Sequence, residues 1–476
     1  MTRSRGTTIR RTGRLGAAVL ALLLLVGTSA CGSRADDADD GGGDEGLSAD
    51  ETTADEGDGG EDGGGDTEVP TPESDTIGSI DNPCSDGETD GPIPADTPGV
   101  SADTIRIGVI SDKENPAVPL PTVGIEESVN AFVEFCNAAG GIGGRTLELE
   151  TYDSMISATD DVTKQACDDD LFALVGTGSV QDQLGIESRL ACGLPEIGAY
   201  SATSNRSESD LFFQPIPATQ SQHFNVGPCQ WIAEQFPDAI EKAAILYTDL
   251  PTASVRANQI RDNCTEEAGF NFVVDEGIPF GSTDFGPVIE QMQSEGVTYF
   301  TMVSSSGEML AALREMSTQG VEVDVMDLGQ QYYDRAVAAE ALSDGAYVLT
   351  NTVPFSETDQ TPALGLYTEW MGETGADENK ITSLGVQAFS AGLLFATAVG
   401  SLGDEITRDG LVSALEGITE WDGGGLHMPT NPGEAVHNDC FLYLKITDGD
   451  FVREYPEEDF DCDPAYVIES EESYAG

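Results

Sequence analysis

Residues 104–152 read TIRIGVISDKENPAVPLPTVGIEESVNAFVEFCNAAGGIGGRTLELETY, and this stretch decides the fold. It begins and ends with short β-rich apolar runs, at residues 104–110 and 146–152. Between them, residues 123–139 carry apolar side chains at helical spacing. A strand, a helix and a second strand in this order predict a βαβ unit, whose two strands are parallel.

The same alternation continues along the chain in two series, separated by the stiff segment around Pro215 and Pro217. The first series predicts helices at 158–168 and 181–192 and strands at 172–176 and 196–199. The second predicts helices at 224–236, 255–267, 289–293 and 309–316 and strands at 243–247, 272–275, 299–303 and 323–326. A return crossing at 346–352, a helix at 390–399 and a hairpin of 441–446 with 451–455 follow. The predicted fold class is therefore α/β, with two lobes that each hold a parallel sheet covered by helices on both faces.

The N-terminal residues have the layout of an export signal. Five arginines precede an apolar run at residues 15–26, and Thr28-Ser29-Ala30-Cys31 follows it. This run is shorter than the roughly 20 residues that a spanning helix needs. Small residues directly before a cysteine resemble the cleavage site of bacterial lipoproteins, which implies a signal peptide at 1–31 and a lipid on Cys31. Ordinary secretion, with Cys31 as a free thiol, is the alternative.

Residues 34–75 are dominated by Asp, Glu, Gly, Ser and Thr, a composition that buries too little apolar surface to fold. We predict a disordered acidic tether at 32–99. The remaining chain suits two lobes of ordinary size. Lobe 1 is assigned to 100–216 and 352–425, and lobe 2 to 217–351 and 426–476.

The charge balance excludes one class of partner. Residues 100–476 contain 64 acidic and 15 basic residues, which gives a net charge of −49. Nucleic-acid binding requires clustered Lys and Arg to neutralise phosphates, so no nucleic-acid partner is expected. The acidity instead favours a hydrated extracellular surface.

Eight cysteines follow Cys31, an even number that indicates disulfides in an exported chain. No CxxC spacing occurs and the chain has three histidines, so no metal site is predicted. If the second strand lies on one side of the first strand and the third strand on the other, right-handed crossovers place the helices after the second and third strands on one face of the sheet. The first helix then lies on the other face. The predicted pairs are Cys84–Cys136, Cys167–Cys192, Cys229–Cys264 and Cys440–Cys462.

The run Asn137-Ala138-Ala139-Gly140-Gly141-Ile142-Gly143-Gly144-Arg145 provides a helix stop and a sharp reversal before the second strand. In this position it resembles the signature of the type I periplasmic binding proteins of the leucine-isoleucine-valine class. Thr283-Asp284-Phe285 and Gly296-Val297 are also similar to that family, and the resemblance extends over residues 103–450. It implies two lobes joined by three crossings, a small-molecule ligand in the cleft, an ABC transporter permease as partner, and no cofactor.

Open parallel sheets bind ligands at the carboxyl ends of their strands. In lobe 1 these ends carry Asp112, Gly178, Ser179, Tyr200, Ser201 and Thr203. Gly178 and Ser179 are predicted to hold a ligand carboxylate or amide oxygen through backbone N–H groups and the hydroxyl. The matching loop does so in the family, and a plain helix N-cap is the alternative.

In lobe 2 the strand ends carry Asp249, Ser305 and Gln330. The family often has a Tyr-Gly pair after the first of these strands and a glutamate for an α-amino group after the last. This chain has Leu250-Pro251-Thr252 and Leu328-Gly329-Gln330 instead, which argues against an α-amino-acid ligand. Asp249 is a candidate cation partner, with a surface carboxylate as the alternative.

Two functions fit these features. The first is import, in which a lipid-anchored protein at the outer face of the cell membrane captures a small polar metabolite for a permease. The second is sensing, in which the same fold signals to a membrane partner without transport. An enzyme is not expected, because no nucleophile elbow, phosphate-binding lysine or catalytic histidine constellation is present.

Overall fold

The computed structural model describes residues 69–85, 97–113, 124–403 and 405–475. The predicted signal peptide, Cys31 and the tether up to residue 68 lie outside these ranges. Helices and strands follow the predicted alternation, in two sheets that each carry helices on both faces.

In the N-terminal half the elements are β1 (Thr76–Ile77), β2 (Ile80–Asp81), β3 (Thr104–Ser111), α1 (Ile125–Ala138), β4 (Thr146–Asp153), α2 (Thr159–Asp168), β5 (Ala173–Thr177), α3 (Ile186–Ala191), β6 (Glu196–Gly198), α4 (Ser204–Ser207), β7 (Phe212–Phe213), β8 (His223–Asn225) and α5 (Gly227–Gln235). They continue with β9 (Ala243–Thr248), α6 (Pro251–Ala268), β10 (Phe272–Ile278), α7 (Gly286–Glu295), β11 (Tyr299–Val303), α8 (Ser306–Gln319), β12 (Val325–Leu328), α9 (Arg335–Ala338) and β13 (Tyr347–Thr350). The last part contains α10 (Pro362–Glu373), α11 (Ser383–Gly400), α12 (Arg408–Glu416), β14 (Cys440–Thr447), β15 (Asp450–Tyr455), β16 (Asp461–Cys462) and β17 (Val467–Glu469).

Lobe 1 is built on a five-stranded parallel sheet in the order β4-β3-β5-β6-β7. On one face, α1 and α11 pack against it with Phe132 and Phe389 in edge-to-face contact. On the other face, Tyr152, Ala166 and Leu174 form a smaller core beneath α2. α11 is long and apolar enough to span a membrane, but 89% of it is buried in this fold, so here it is the central core helix of the lobe.

Lobe 2 is built on an eight-stranded sheet in the order β10-β9-β11-β12-β13-β14-β15, with β16 paired to β14. The strands from β10 to β13 are parallel, whereas β14, β15 and β16 run antiparallel to their neighbours. Alternate residues of β9 and β11 point to opposite faces, with Phe300 and Met302 under α7 and α8 and Tyr299 under α5 and α6. Both faces of the sheet are therefore buried.

Three segments connect the lobes and lie side by side. The second segment is hydrogen-bonded to the third, since Val353 N donates to Leu426 O (3.0 Å). Thr352 and His427 of the same two segments form an isolated antiparallel β-bridge. The third and first are bonded by Thr430 Oγ1 donating to Pro215 O (2.6 Å). The three crossings are therefore adjacent and bonded to one another.

Part of the predicted tether is folded, which corrects the assignment of all of 32–99 to a linker. In residues 69–85, the side chains of Ile77 and Cys84 are fully buried in the core of lobe 1, and Val69 packs against the same core. The composition changes at Val69, after which apolar residues recur and give the segment enough surface to bury.

All four predicted disulfides are present: Cys84–Cys136, Cys167–Cys192, Cys229–Cys264 and Cys440–Cys462. The strand order that the pairing assumed, β4-β3-β5, is also observed. The glycine reversal is confirmed as well, since Gly140, Gly141, Gly143 and Gly144 all have positive φ. At Gly141 a Cβ would lie 2.0 Å from Arg145 O, so the reversal excludes any larger residue there.

Some element predictions were wrong. The helix predicted at 224–236 begins only at Gly227, because residues 223–225 pair as a strand with β17 near the end of the chain. The helix predicted at 181–192 starts as a 3₁₀ turn and becomes α-helical at Ile186. α10 and α12 were not predicted, and both pack on the lobe 1 core.

Candidate functional site

The carboxyl ends of the two sheets face a cavity of about 350 Å³. Its walls come from the loop after β6 in lobe 1, from the strand ends and α6 of lobe 2, and from two of the crossings. Most of the lining surface is apolar. Such a concave site with a few polar groups is typical of small-molecule binding.

Five predicted residues line this cavity: Tyr200, Ser201 and Thr203 from lobe 1, and Ser305 and Gln330 from lobe 2. The other four, Asp112, Gly178, Ser179 and Asp249, do not belong to the lining. The structure therefore brings five of the nine predicted residues to the cavity wall and leaves four outside it.

Asp112 lies beneath the cavity wall and holds the strand ends of lobe 1 together. Its buried carboxylate accepts hydrogen bonds from Ile156 N (2.5 Å), Val180 N (2.7 Å) and the Ser154 hydroxyl. Burial raises the pKa of Asp112, while these three bonds act in the opposite direction. The carboxylate therefore positions the wall and does not face the ligand space.

Gly178 and Ser179 lie behind the ring of Tyr200. A Cβ on Gly178 would lie 2.4 Å from Cε1 of Tyr200, so glycine is needed there for the ring to pack. The Ser179 side chain is buried behind the wall. The predicted anion-binding role of these two residues has no counterpart in the cavity lining.

Asp182 organises the lobe 1 loop that does line the cavity. It accepts hydrogen bonds from Ser201 Oγ (2.9 Å), Ala202 N (2.7 Å) and Thr203 Oγ1 (2.6 Å). Ser201 Oγ also lies 2.7 Å from Thr203 O, and Thr203 Oγ1 accepts from Arg206 N (3.3 Å) as the N-cap of α4, so both hydroxyls brace this loop. Burial raises the pKa of Asp182 to about 6, and nearby Arg206 opposes the shift.

On the lobe 2 side, Glu308 has an equivalent role. Ser305 caps α8 in a reciprocal pair, with Ser305 Oγ donating to Glu308 Oε2 (2.9 Å) and accepting from Glu308 N (3.2 Å). Glu308 also accepts from Thr248 Oγ1 (3.0 Å) and from Gly281 N (2.8 Å). Asp249 is exposed outside the cavity, as expected for a surface carboxylate.

Gln330 connects the lobes across the cavity. Its Oε1 accepts a hydrogen bond from Gln387 Nε2 of α11 (3.2 Å), which also reaches Asn351 Oδ1 (3.4 Å). Gln330 and Asn351 both line the cavity, so this amide network spans lobe 1, lobe 2 and the second crossing.

The cavity continues into lobe 2, between the sheet and α6, where aromatic and aliphatic side chains form the walls. The lining there includes Phe224, Ile260, Phe441 and Tyr443. Asp327 also belongs to this lining and accepts hydrogen bonds from Tyr299 Oη (2.6 Å) and Tyr443 Oη (3.2 Å). Burial raises the pKa of Asp327 to about 6, against the effect of the two tyrosine bonds.

Arg256 is the site residue that the sequence analysis missed. It lies on α6, donates to Gln259 Oε1 (2.7 Å) and stacks 5.1 Å from the ring centre of Phe224. No other Lys or Arg occurs among the described lining residues. Its position on the helix that follows the first strand of lobe 2, in a chain poor in basic residues, was the available signal.

Within the described ranges, no three His, Cys, Asp or Glu side chains are grouped as a metal ion would require. The polar groups of the cavity are instead hydroxyls, amides, the Arg256 guanidinium, the His437 imidazole and the carboxylates of Glu308 and Asp327. Such groups recognise an organic ligand by hydrogen bonding and charge.

Residues 104–443 match the family described as periplasmic binding protein. Over 234 residues the chain is 25% identical to the leucine-, isoleucine-, valine-, threonine- and alanine-binding protein of Pseudomonas aeruginosa. That match covers 48% of this chain and 61% of the relative, so the chain spans less than two thirds of the relative's length.

Solved structures share the fold. The isoleucine complex of a branched-chain amino acid transporter substrate-binding protein from Streptococcus pneumoniae aligns with a TM-score of 0.62 at 16% identity, covering 76% of this chain and 100% of that one. A fatty acid ABC transporter substrate-binding protein from Thermomonospora curvata aligns with a TM-score of 0.65 at 16% identity, covering 79% and 97%. A solute-binding protein from R. palustris in complex with 4-hydroxybenzoate aligns with a TM-score of 0.63 at 16% identity, covering 76% and 98%.

Proposed function

We propose that this chain, which belongs to the periplasmic binding protein family, is the substrate-binding lipoprotein of an ABC importer. In this role it captures a small metabolite with a polar group, such as an amino acid, an amide or a similar compound, between its lobes. The observation that carries the proposal is the cavity at the strand ends of both sheets, lined by residues of both lobes.

The N-terminal sequence supports an extracytoplasmic, lipid-anchored location. The apolar run before Cys31 and the acidic stretch after it would attach the folded part to the membrane surface through a flexible connection. Four disulfides agree with an oxidising compartment. A permease in the same membrane is then the partner that receives the ligand.

The ligands of the three solved relatives are an amino acid, a fatty acid and a hydroxybenzoate. At this level of identity the likeness supports the fold alone. The class of ligand therefore has to be argued from the cavity of this chain.

Ligand binding is tested by a thermal-shift screen of residues 32–476, purified with the disulfides formed. The panel contains amino acids, amides, urea, monocarboxylates, sugars and nucleosides. A ligand at 100 times its dissociation constant adds about 2.7 kcal/mol to the free energy of unfolding, so we expect at least one class to raise the melting temperature clearly.

Two variants make this screen specific. Ile260→Trp fills the cavity and is expected to abolish the shift, whereas Val452→Trp on exposed β15 should leave it unchanged. Cooperative melting without a shift from any class of compound would overturn the binding role. A confirmed ligand whose uptake by cells does not depend on this protein would favour sensing over import.

A further inference from the structure

Arg256 carries a positive charge into the cavity without a counter-charge. Among the described residues it forms no ion pair, and its contacts are the Gln259 amide and the face of Phe224. Arg261 on the same helix differs, since it pairs with Asp262 and Asp275, each at 2.7 Å. Burial alone lowers the pKa of Arg256 to about 10, and no neighbouring carboxylate offsets the shift.

A desolvated guanidinium without a partner is costly, and proteins normally pair such a charge. Its fork of N–H donors matches a carboxylate, which accepts two parallel hydrogen bonds. The chain is strongly acidic, yet the two carboxylates among the described lining residues are already engaged: Glu308 by the α8 cap and Asp327 by Tyr299 and Tyr443. The charge of Arg256 therefore remains available to an anionic ligand.

The rest of the cavity indicates what the anion is attached to. Phe224, Ile260 and Phe441 give the lobe 2 part an apolar wall, which stabilises a ligand by removing its apolar surface from water. Asp327 would repel a second anionic group there. A ligand with one carboxylate and an apolar body satisfies both parts of the cavity.

We propose that the cavity binds a small organic monocarboxylate whose carboxylate pairs with Arg256 and whose apolar body lies against Phe224, Ile260 and Phe441. This inference rests on the proposed function, because it names the class of solute for the same cavity. Fatty and aromatic monocarboxylates share this chemistry and differ in the shape of the body.

The test compares octanoate with octanamide, which has the same body without the charge, and 4-hydroxybenzoate with its amide. Calorimetry on residues 32–476 measures each dissociation constant. A hydrogen bond to a charged group is worth about 10- to 100-fold in affinity, so we expect the wild type to prefer the acid of the better-fitting pair by that factor. The pair that binds more tightly identifies a linear or an aromatic body.

Arg256→Met should remove the preference for the acid while it retains binding of the amide, and Arg256→Lys should retain most of the preference. Arg261→Met is the matched control and should change neither affinity. A preference unchanged in Arg256→Met, or binding of amino acids, sugars or urea with no monocarboxylate bound, would overturn this inference and leave the binding role intact. Failure of every compound to bind would overturn both.

Discussion

At the scale of single residues, Glu196 holds the loop that forms the lobe 1 wall of the cavity. Its fully buried carboxylate pairs with Arg189 Nε (3.1 Å) and Arg206 and accepts the Thr177 hydroxyl. Burial acts to raise the pKa of Glu196, but the two guanidinium groups outweigh it and lower the pKa. The negative charge of Glu196 is therefore stabilised in the folded state. Glu196 lies four residues before Tyr200, which lines the cavity.

Glu196→Gln should lower the free energy of unfolding by about 3–5 kcal/mol, because it leaves two buried guanidinium groups without their partner. Urea denaturation at pH 7 measures this difference. Since the folded pKa lies below the usual value of 4.5, the stabilisation is present above pH 4.5 and is lost as the pH falls through the folded pKa. The difference in the free energy of unfolding between Glu196→Gln and the wild type should therefore become smaller as the pH falls below 4.5.

Glu148→Gln is the control for this variant. Glu148 is half exposed and lies 3.7 Å from Arg106, and such a surface pair contributes about 0–1 kcal/mol. Equal midpoints for Glu196→Gln and Glu148→Gln would show that the buried cluster contributes no more than a surface pair.

At the scale of elements, the segment 69–85 belongs to lobe 1 although it precedes the first strand of the sheet. It is fixed by the Cys84–Cys136 disulfide to α1 and by burial of Ile77. Asp422, beyond α12, accepts a hydrogen bond from Ser79 Oγ (2.6 Å). The segment therefore connects the two distant stretches of chain that make up the lobe.

Replacing both cysteines, Cys84→Ala with Cys136→Ala, should lower the free energy of unfolding by about 4 kcal/mol, the value expected for the 52-residue separation. Urea denaturation without reductant measures the loss. Limited proteolysis should then cut within 69–85 in the variant and not in the wild type. Equal stability and an uncut segment in both proteins would show that burial alone holds it in place.

Local patterns predicted most of the elements but not those that depend on distant partners. The predicted alternation, with an assumed strand order and right-handed crossovers, led to the four disulfide pairs that are observed. Residues 224 and 225 were predicted as helix because their strand partner lies some 240 residues later, at 467–469. α10 lacks a single apolar face, whereas the spacing of Leu411 and Leu415 in α12 was a signal that the sequence analysis overlooked.

The candidate site was likewise predicted only in part. Strand ends are readable in the sequence, and the loops at Tyr200, Ser305 and Gln330 do reach the cavity. A polar side chain at a strand end either faces the cavity or supports its wall, and its hydrogen-bond partners determine which. Asp112 supports the wall, because its carboxylate accepts from Ile156 N and Val180 N. The sequence position of Arg256 after the first strand of lobe 2 was a signal, but its place in the cavity wall depends on how α6 packs.

At the scale of the whole molecule, the net charge of −65 bears on its location. So acidic a protein gains no electrostatic attraction from an anionic membrane surface. We predict that attachment comes from the proposed lipid on Cys31. We expect the wild type to fractionate with membranes and Cys31→Ser to appear in the medium, even at low ionic strength.

The control is the melting temperature, which should be identical for both proteins once extracted, because none of the four disulfides among the described residues involves Cys31. Membrane association of Cys31→Ser that resists salt washing would show that another part of the chain anchors the protein.

The order of the elements along the chain also determines when lobe 1 can fold. The last strand of lobe 1 ends at Phe213, but the helices that complete its core end at Glu416. At roughly 5–20 residues per second, a ribosome needs roughly 10–40 seconds to make the intervening stretch. During that time the first half of the chain lacks α11, the central helix of lobe 1, so the core of this lobe cannot form. We therefore expect the core of lobe 1 to form only after α11 has been made, which would keep the chain in an exportable form until then.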